Sequence, residues 1–233
     1  MVLDFFSHHR VLRTYETNLI QICNFLKRNH NVEFILGQDL GVNAHGREIL
    51  GKFDPYPPRI HISLGMGYNS PRWRFTLAHE IGHLLLHRQI DISNLFDRAE
   101  TGETIGWNNV DSSEKNIRII EWQANSFASS LIMPTELLYY LVILCLKELG
   151  VNNYSHGIIY LDDQPCNKRS YYHILSRLNK EFNASFQSLS YRLAQLRLVN
   201  DRRGCTHIRD IINNLPLVNA SKSECSFGPT ANS

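Results

Sequence analysis

Two histidines four residues apart, His79 and His83, form the pattern His-Glu-x-x-His within an apolar stretch, Arg72–His87, that is compatible with a helix. On a helix this spacing places both imidazoles on one face, one turn apart. Two neutral imidazole nitrogens held in this way can bind one zinc ion at about 2.0–2.1 Å. Glu80 then lies beside the open coordination position, where it can accept a proton from a bound water. The pattern therefore predicts a metal-binding helix.

A catalytic zinc site needs a third protein ligand, because such sites combine three protein ligands with one water. His87 lies one turn beyond His83, and a straight helix displaces it by about another 6 Å along the axis. We therefore expect His87 to support the site or the helix end and not to bind the ion. Glu121 is the best candidate, because the facing side of its predicted helix is apolar and an unpaired carboxylate there is costly. Other downstream acidic residues remain open as alternatives, namely Asp91, Asp97, Glu100 and Glu114.

The composition is that of an ordinary globular protein. With 233 residues, 43% hydrophobic and 20% charged, the chain can form one large or two small domains. A formal net charge of +2 gives no argument for a polyanionic partner. The five cysteines form no Cys-x-x-Cys pair, which argues against a disulfide framework and a thiolate zinc site. The start of the chain has no signal-peptide pattern, and the longest apolar run, Leu137–Leu146, is too short to span a bilayer. We expect a cytoplasmic location and no membrane partner, while the oligomeric state is not indicated.

The hydrophobic periodicity predicts an α+β fold that is mainly helical. Residues Arg59–Leu64 alternate strictly, which predicts a strand of a small antiparallel sheet before the metal-binding helix. Further helices are predicted at about Val11–Lys27, Ser113–Leu131 and Thr135–Leu149. Loops are predicted at 89–112 and 152–167, and the polar segment 219–233 is expected to be disordered.

Residues 168–203 have a different character, with eight basic residues against two acidic ones. Their pattern predicts two helices joined by a tight turn, a helix-turn-helix-like region. Arg192, Gln195 and Arg197 on the second helix could contact DNA. We favour the interpretation that these helices pack on the core and that their charges form a solvated face.

Two motifs together resemble the ImmA/IrrE family of zinc-dependent peptidases. The first runs from Thr76 to His87, and the second is Glu121-x-x-Ala124-Asn125-x-Phe127-Ala128, followed by Met133-Pro134. The resemblance covers Val11–Met133 well and continues to Val199 more loosely. It implies a zincin-like metallopeptidase domain at 8–150 with a gluzincin-like site. It also implies a cytoplasmic enzyme that cleaves a helix-turn-helix repressor in a stress-response or mobile-element circuit.

The resemblance implies a role for each motif residue. His79, His83 and Glu121 are expected to bind one Zn²⁺ per chain, with Mn²⁺ as the other candidate metal, and Glu80 is expected to be the general base. Two further residues, His87 and Asn125, are candidates for supporting the ligands. Donors to the oxyanion are not identifiable from the motifs, and the residues considered are His173 and Tyr191.

A second hypothesis is a DNA-binding regulator in which the metal centre is a sensor or a structural element. Glu80 distinguishes the two hypotheses, because a structural zinc site needs no base and has four closed protein ligands.

Overall fold

The computed structural model describes residues 15–43, 46–90, 112–153 and 156–204. Within these ranges the chain forms six helices, a three-stranded sheet and a two-stranded sheet. In chain order the elements are α1 (Leu19–His30), β1 (Glu33–Gln38), β2 (Gly51–Pro55), β3 (Pro58–Ser63), α2 (Pro71–His87), α3 (Ser112–Ile132), α4 (Thr135–Glu148), β4 (Ile159–Leu161), α5 (Pro165–Phe182), α6 (Phe186–Gln195) and β5 (Val199–Asp201). The predicted α+β class, mainly helical, is confirmed.

The three-stranded sheet has the order β1-β3-β2 and is mixed, so the predicted antiparallel sheet was wrong in this detail. Strands β2 and β3 form an antiparallel hairpin, whereas β1 pairs in parallel with β3. The reason is burial: Ile60 and Ile62 of β3 are fully buried, so this strand takes the central position. Among the described strands β2 lies at an edge of this sheet, and its Gly51 lies next to Thr76 and Glu80 of α2.

Helix α2 is the predicted metal-binding helix. It begins where the Oγ of Ser70 accepts the N–H of Trp73 at 3.2 Å, with Pro71 at the first helical position. Leu77 and Ile81 on its buried face are 0% exposed. The helix thus packs its apolar face in the core and turns its histidines toward α3.

Two predicted boundaries were wrong. The first described helix begins at Leu19, and residues 15–18 before it are not helical. Thr17 is held outside the helix because its Oγ1 donates to Leu131 O at 2.8 Å, and Asn18 caps the helix. The predicted loop at 152–167 contains β4 and the start of α5, since β4 pairs with β5 about 40 residues later along the chain. Such a distant partner leaves no local pattern. Residues 11–14, 91–111 and 219–233 lie outside the described residues.

Helices α5 and α6 form the predicted helix-turn-helix arrangement. Asn183 ends α5 in the left-handed conformation (φ 49°), and the Oγ of Ser185 caps α6. Phe182 of α5 and Leu189 of α6 belong to the same hydrophobic core as the buried residues of α2 and α4. The division into domains at 8–150 and 168–203 stays a prediction.

No single helix in the described ranges is long and apolar enough to cross a membrane. One consecutive pair, Lys115–Ile132 and Thr135–Glu148, meets the length and composition criterion together, with a bend of 57° between the two helices.

Candidate metal centre

Helices α2 and α3 bring two imidazoles and one carboxylate to the same point. The Nε2 atoms of His79 and His83 are 2.9 Å apart. Glu121 places its Oε2 at 3.4 Å from Nε2 of His79 and its Oε1 at 3.2 Å from Nε2 of His83. The candidate ligand atoms of the three residues all lie within 4.8 Å of one another. The sequence prediction of a third, acidic ligand on a following helix therefore has a geometric counterpart in Glu121.

The close approach of the two helices depends on small residues. A Cβ atom at Gly82 would lie 3.1 Å from Cδ1 of Phe127 and 3.3 Å from both Cα and O of Ala124. Ala124 and Ala128 are fully buried at this contact. Because no larger side chain separates the backbones, Glu121 can reach the histidines on α2.

The hydrogen bond of His79 defines which of its nitrogens carries the proton. Asn125 presents Oδ1 at 3.0 Å from Nδ1 of His79. An amide oxygen only accepts hydrogen bonds, so Nδ1 of His79 is the donor, and a neutral ring then has its lone pair at Nε2. Asn125, predicted as a supporting residue, thus directs the Nε2 lone pair of His79 toward Glu121.

His83 is held in the same way through a longer chain. Its Nδ1 lies 3.2 Å from Nδ1 of His87, and Nε2 of His87 lies 2.9 Å from Oε1 of Gln123. His87 is 2% exposed, and both of its ring nitrogens are used in these contacts. His87 therefore lies on the side of the His83 ring that faces away from Glu121, and its supporting role stays a prediction.

The donor set fits a metal cation. Two imidazole lone pairs and two carboxylate oxygens face one point, and none of them brings a proton when both Nδ1 atoms are the donors. Such an arrangement is repulsive unless a cation lies between the atoms. Two nitrogens and one carboxylate also form the His₂Glu ligand set of catalytic zinc sites.

The pKa shifts show strong interactions between the two imidazoles and the carboxylate. Burial raises the pKa of Glu121, but hydrogen bonds and charges of His79 and His83 outweigh it and lower the pKa to about 2. Burial lowers the pKa of His79, yet Glu121 and Glu80 outweigh it and raise the pKa above its ordinary value. For His83 burial prevails, and its pKa is lowered. Glu121 is thus ionised at neutral pH, as a metal ligand must be.

Glu80 is buried beside strand β2, at the edge of the sheet. It is 6% exposed, and burial raises its pKa to about 7, with the charge of His79 lowering it and that of Glu121 raising it. A Cβ atom at Gly51 of β2 would lie 2.6 Å from Oε1 of Glu80 and 2.7 Å from Cγ2 of Thr76. Gly51 was missed in the sequence because its contact with Glu80 depends on how β2 packs against α2, and no local pattern encodes that.

The other candidate residues are not brought to this point by any described contact. His173 lines a separate cavity of about 270 Å³ on α5, together with Ser176, Arg177, Lys180 and Glu181. Tyr191 lies on α6 and is 70% exposed. The alternative ligands Asp91, Asp97 and Glu100 lie outside the described residues, as does the side chain of Glu114.

Comparison with known proteins identifies the segment that carries this centre. Residues 48–142 match the model of the Peptidase_M78 family, described as IrrE N-terminal-like domain. None of the curated proteins matches the sequence significantly. A solved structure described as "Mycobacterium tuberculosis transcriptional regulator" aligns with 75% of this chain at 12% identity and a TM-score of 0.44. This chain spans 48% of that protein's length, and a similarity this low supports no argument about function.

The matched segment contains both sequence motifs, and its mixed sheet, metal helix and following helix agree with the expected zincin-like fold. Residues 48–142 of this chain are therefore similar to the IrrE N-terminal-like domain of the Peptidase_M78 family.

Proposed function

We propose that the protein is a zinc-dependent endopeptidase in which His79, His83 and Glu121 bind the metal and Glu80 is the general base. The observation that carries this proposal is the convergence of the three ligand side chains within 4.8 Å. The buried carboxylate of Glu80, next to His79 in the chain, supplies the remaining group that metal-assisted hydrolysis requires.

Each residue has a chemical task in this proposal. Zn²⁺ bound at this point would lower the pKa of its water to near 7 and polarise the scissile carbonyl. Glu80, with its pKa raised to about 7, is suited to accept a proton from the attacking water and to donate it to the leaving amine. Asn125 keeps the lone pair of His79 directed at Glu121. Mn²⁺ remains a candidate for the same ligands.

The proposed substrate is a helix-turn-helix repressor, and the proposed setting is a cytoplasmic stress-response or mobile-element circuit. The support is the match of residues 48–142 to the family model of an IrrE N-terminal-like peptidase domain. A peptidase that acts on one regulator recognises folded partner surface, so we expect weak activity on generic peptides and one cut in the repressor.

The test replaces the base without touching a ligand. Zinc-loaded wild-type protein and Glu80→Gln are incubated with a candidate helix-turn-helix repressor, and the products are measured by mass spectrometry. We expect Glu80→Gln to keep its zinc and lose on the order of a hundredfold or more in rate, the range for loss of a general base. Glu148→Gln, at an exposed position of α4, is the control. Equal cleavage by Glu80→Gln and wild type would contradict the mechanism.

DNA binding through α6 is the alternative function, and the contacts of its residues argue against it. Arg192 is 5% exposed and donates to Oε1 of Gln195 at 2.8 Å and to Oγ1 of Thr135 at 3.0 Å. Gln195 also donates to Oγ of Ser126 at 3.2 Å. Two of the three residues considered for base contacts are therefore engaged within the protein.

The basic residues of the region are also partly neutralised. Ion pairs join Lys168 to Asp163, Arg177 to Glu181 and Arg203 to Asp201. We expect a gel-shift assay across unrelated duplexes to show no sequence preference at physiological salt. A sequence-preferring shift, together with no repressor cleavage, would favour the regulator hypothesis.

A further inference from the structure

The chain of contacts behind His83 ends on α3, on a residue that the sequence motifs do not mark. His83, His87 and Gln123 are linked by contacts of 3.2 Å and 2.9 Å, and the middle residue is 2% exposed. We propose that His87 and Gln123 are positioning residues for the metal ligand His83, because together they fix the tautomer in which its Nε2 lone pair is free. This inference rests on the proposed function, which makes His83 a zinc ligand.

The direction of the hydrogen bonds follows from the last acceptor of the chain. The oxygen of the Gln123 side chain faces Nε2 of His87, so Nε2 of His87 carries the proton and donates it. A neutral His87 then has its lone pair at Nδ1, and this lone pair accepts the hydrogen bond from Nδ1 of His83. The proton of His83 is thereby placed at Nδ1, which leaves Nε2 unprotonated.

The opposite direction would block the ligand. If Nδ1 of His87 carried the proton, it would donate to Nδ1 of His83, and the proton of neutral His83 would move to Nε2. Nε2 of His83 is the atom that faces Glu121 at 3.2 Å. Gln123 therefore acts at a distance: its carbonyl oxygen selects the tautomer of His87, and His87 selects that of His83.

His87 is buried, and both of its ring nitrogens are used in the contacts with His83 and Gln123. It cannot bind the same ion as His83, because one of its nitrogens faces the far side of the His83 ring and the other faces Gln123. Residues that hold a ligating histidine in this way typically contribute a factor of 10–100 to metal affinity. His79 relies on a single amide, Asn125, while His83 relies on a histidine that is itself oriented by an amide.

The test measures zinc affinity by competition with a chromophoric chelator, on full-length protein whose folding is checked in the metal-free state. We expect His87→Phe to weaken zinc binding about 10–100-fold, because Nδ1–H of His83 then has no acceptor. Gln123→Met should weaken it in the same direction and by less, since water can reach this exposed position of α3. Gln123→Glu keeps an oxygen that can accept from Nε2 of His87, unlike Gln123→Met, and this variant should bind zinc as wild type does.

Coupling between the two residues separates positioning from a general loss of structure. Because Gln123 acts through His87, the double variant H87F/Q123M should bind zinc no more weakly than H87F alone. His30→Phe, the same change at an exposed histidine of α1, should leave the affinity unchanged.

Nitrogen NMR of the wild-type imidazoles gives a readout that needs no variant. We expect His87 to carry its proton at Nε2 and His83 at Nδ1.

Wild-type zinc affinity in H87F, fully additive effects in the double variant, or a proton at Nδ1 of His87 would each overturn the inference. If H87F does not fold, Q123M and the NMR tautomers decide. These results leave the proposed function intact if wild type binds zinc and His83→Ala does not. Absence of zinc binding by wild type would overturn both.

Discussion

Gly51 lies next to Glu80 at the edge of the sheet. Of Gly51 and Gly82, it is Gly51 that leaves the least space for a Cβ atom. A side chain at position 51 would need the space of Oε1 of Glu80, at 2.6 Å, and of Cγ2 of Thr76, at 2.7 Å. Glu80 has little room to retreat, because it is 6% exposed. The glycine therefore leaves the volume in which the proposed base sits.

We expect Gly51→Ala to displace the carboxylate of Glu80 while leaving the three metal ligands in place. Misplacement of a reacting group by about 1 Å costs on the order of a hundredfold in rate, so a loss of ten- to a hundredfold is expected. Zinc content, measured by elemental analysis, should not change. Gly67→Ala is the matched control, because nothing lies within 4 Å of a Cβ atom at that exposed glycine. Equal activity of both variants would show that Glu80 tolerates the extra methyl group.

At the scale of single residues, the sequence predicted those whose roles follow from their spacing along a helix. His79 and His83 follow from the helical period, and Glu121 from the cost of a carboxylate on an apolar helix face. Gly51 and Gln123 could not be predicted, because their roles arise only when β2 and α3 pack against α2. Whether the predicted residues bind metal and catalyse stays a prediction.

The pairing of α2 with α3 is the element on which the centre depends. Gly82 lies in the first motif, and Ala124 and Phe127 lie in the second. In an exposed helix interior, replacing glycine with alanine stabilises a protein by about 0.5–1 kcal/mol. At position 82 the added methyl group would press on the backbone of α3 at 3.3 Å.

We expect Gly82→Ala to destabilise the protein despite the better helix propensity, by about 1–3 kcal/mol, the usual cost of overpacking. Because α3 must move outward, Glu121 should recede and zinc affinity should fall with stability. Denaturant unfolding and zinc competition measure the two effects. Gly67→Ala again provides the control. If Gly82→Ala is more stable than wild type and binds zinc equally well, the space between α2 and α3 accommodates the added methyl group.

The elements were predicted best where periodicity is local. Helices α2, α3 and α4 appear close to the expected positions, with α4 ending at Glu148 before Gly150. The parallel pairing of β1 with β3 and of β4 with β5 was missed, because each joins segments separated by other elements. The non-helical segment 15–18 before α1 was missed for the same reason, since the carbonyl oxygen of Leu131 accepts a hydrogen bond from Thr17.

A polar cluster joins distant parts of the whole molecule. Arg74 of α2, which is 2% exposed, donates to Oε1 of Glu16 at 2.5 Å and to the carbonyl oxygen of Thr17 at 2.9 Å. Asn183, between α5 and α6, donates to the same oxygen of Glu16 at 3.2 Å and to the carbonyl oxygen of Asn69 at 2.9 Å. The described start of the chain, helix α2 and the carboxy-terminal helices thus share one hydrogen-bonded cluster.

This cluster should make α5 and α6 unfold together with the metal-binding part. Asn183→Gly tests it, because glycine keeps the left-handed conformation (φ 49°) and removes only the amide. Loss of its two hydrogen bonds should cost about 1–3 kcal/mol, one of them being to a carboxylate. Asn31→Gly is the matched control: Asn31 ends α1 at φ 52° and is exposed.

Urea unfolding followed by far-UV circular dichroism and tryptophan fluorescence measures both variants. We expect a single coincident transition at lower urea for Asn183→Gly than for Asn31→Gly, because the hydrophobic core continues across both parts. Equal midpoints would show that the amide of Asn183 adds nothing, and two separate transitions would show that the carboxy-terminal helices fold independently.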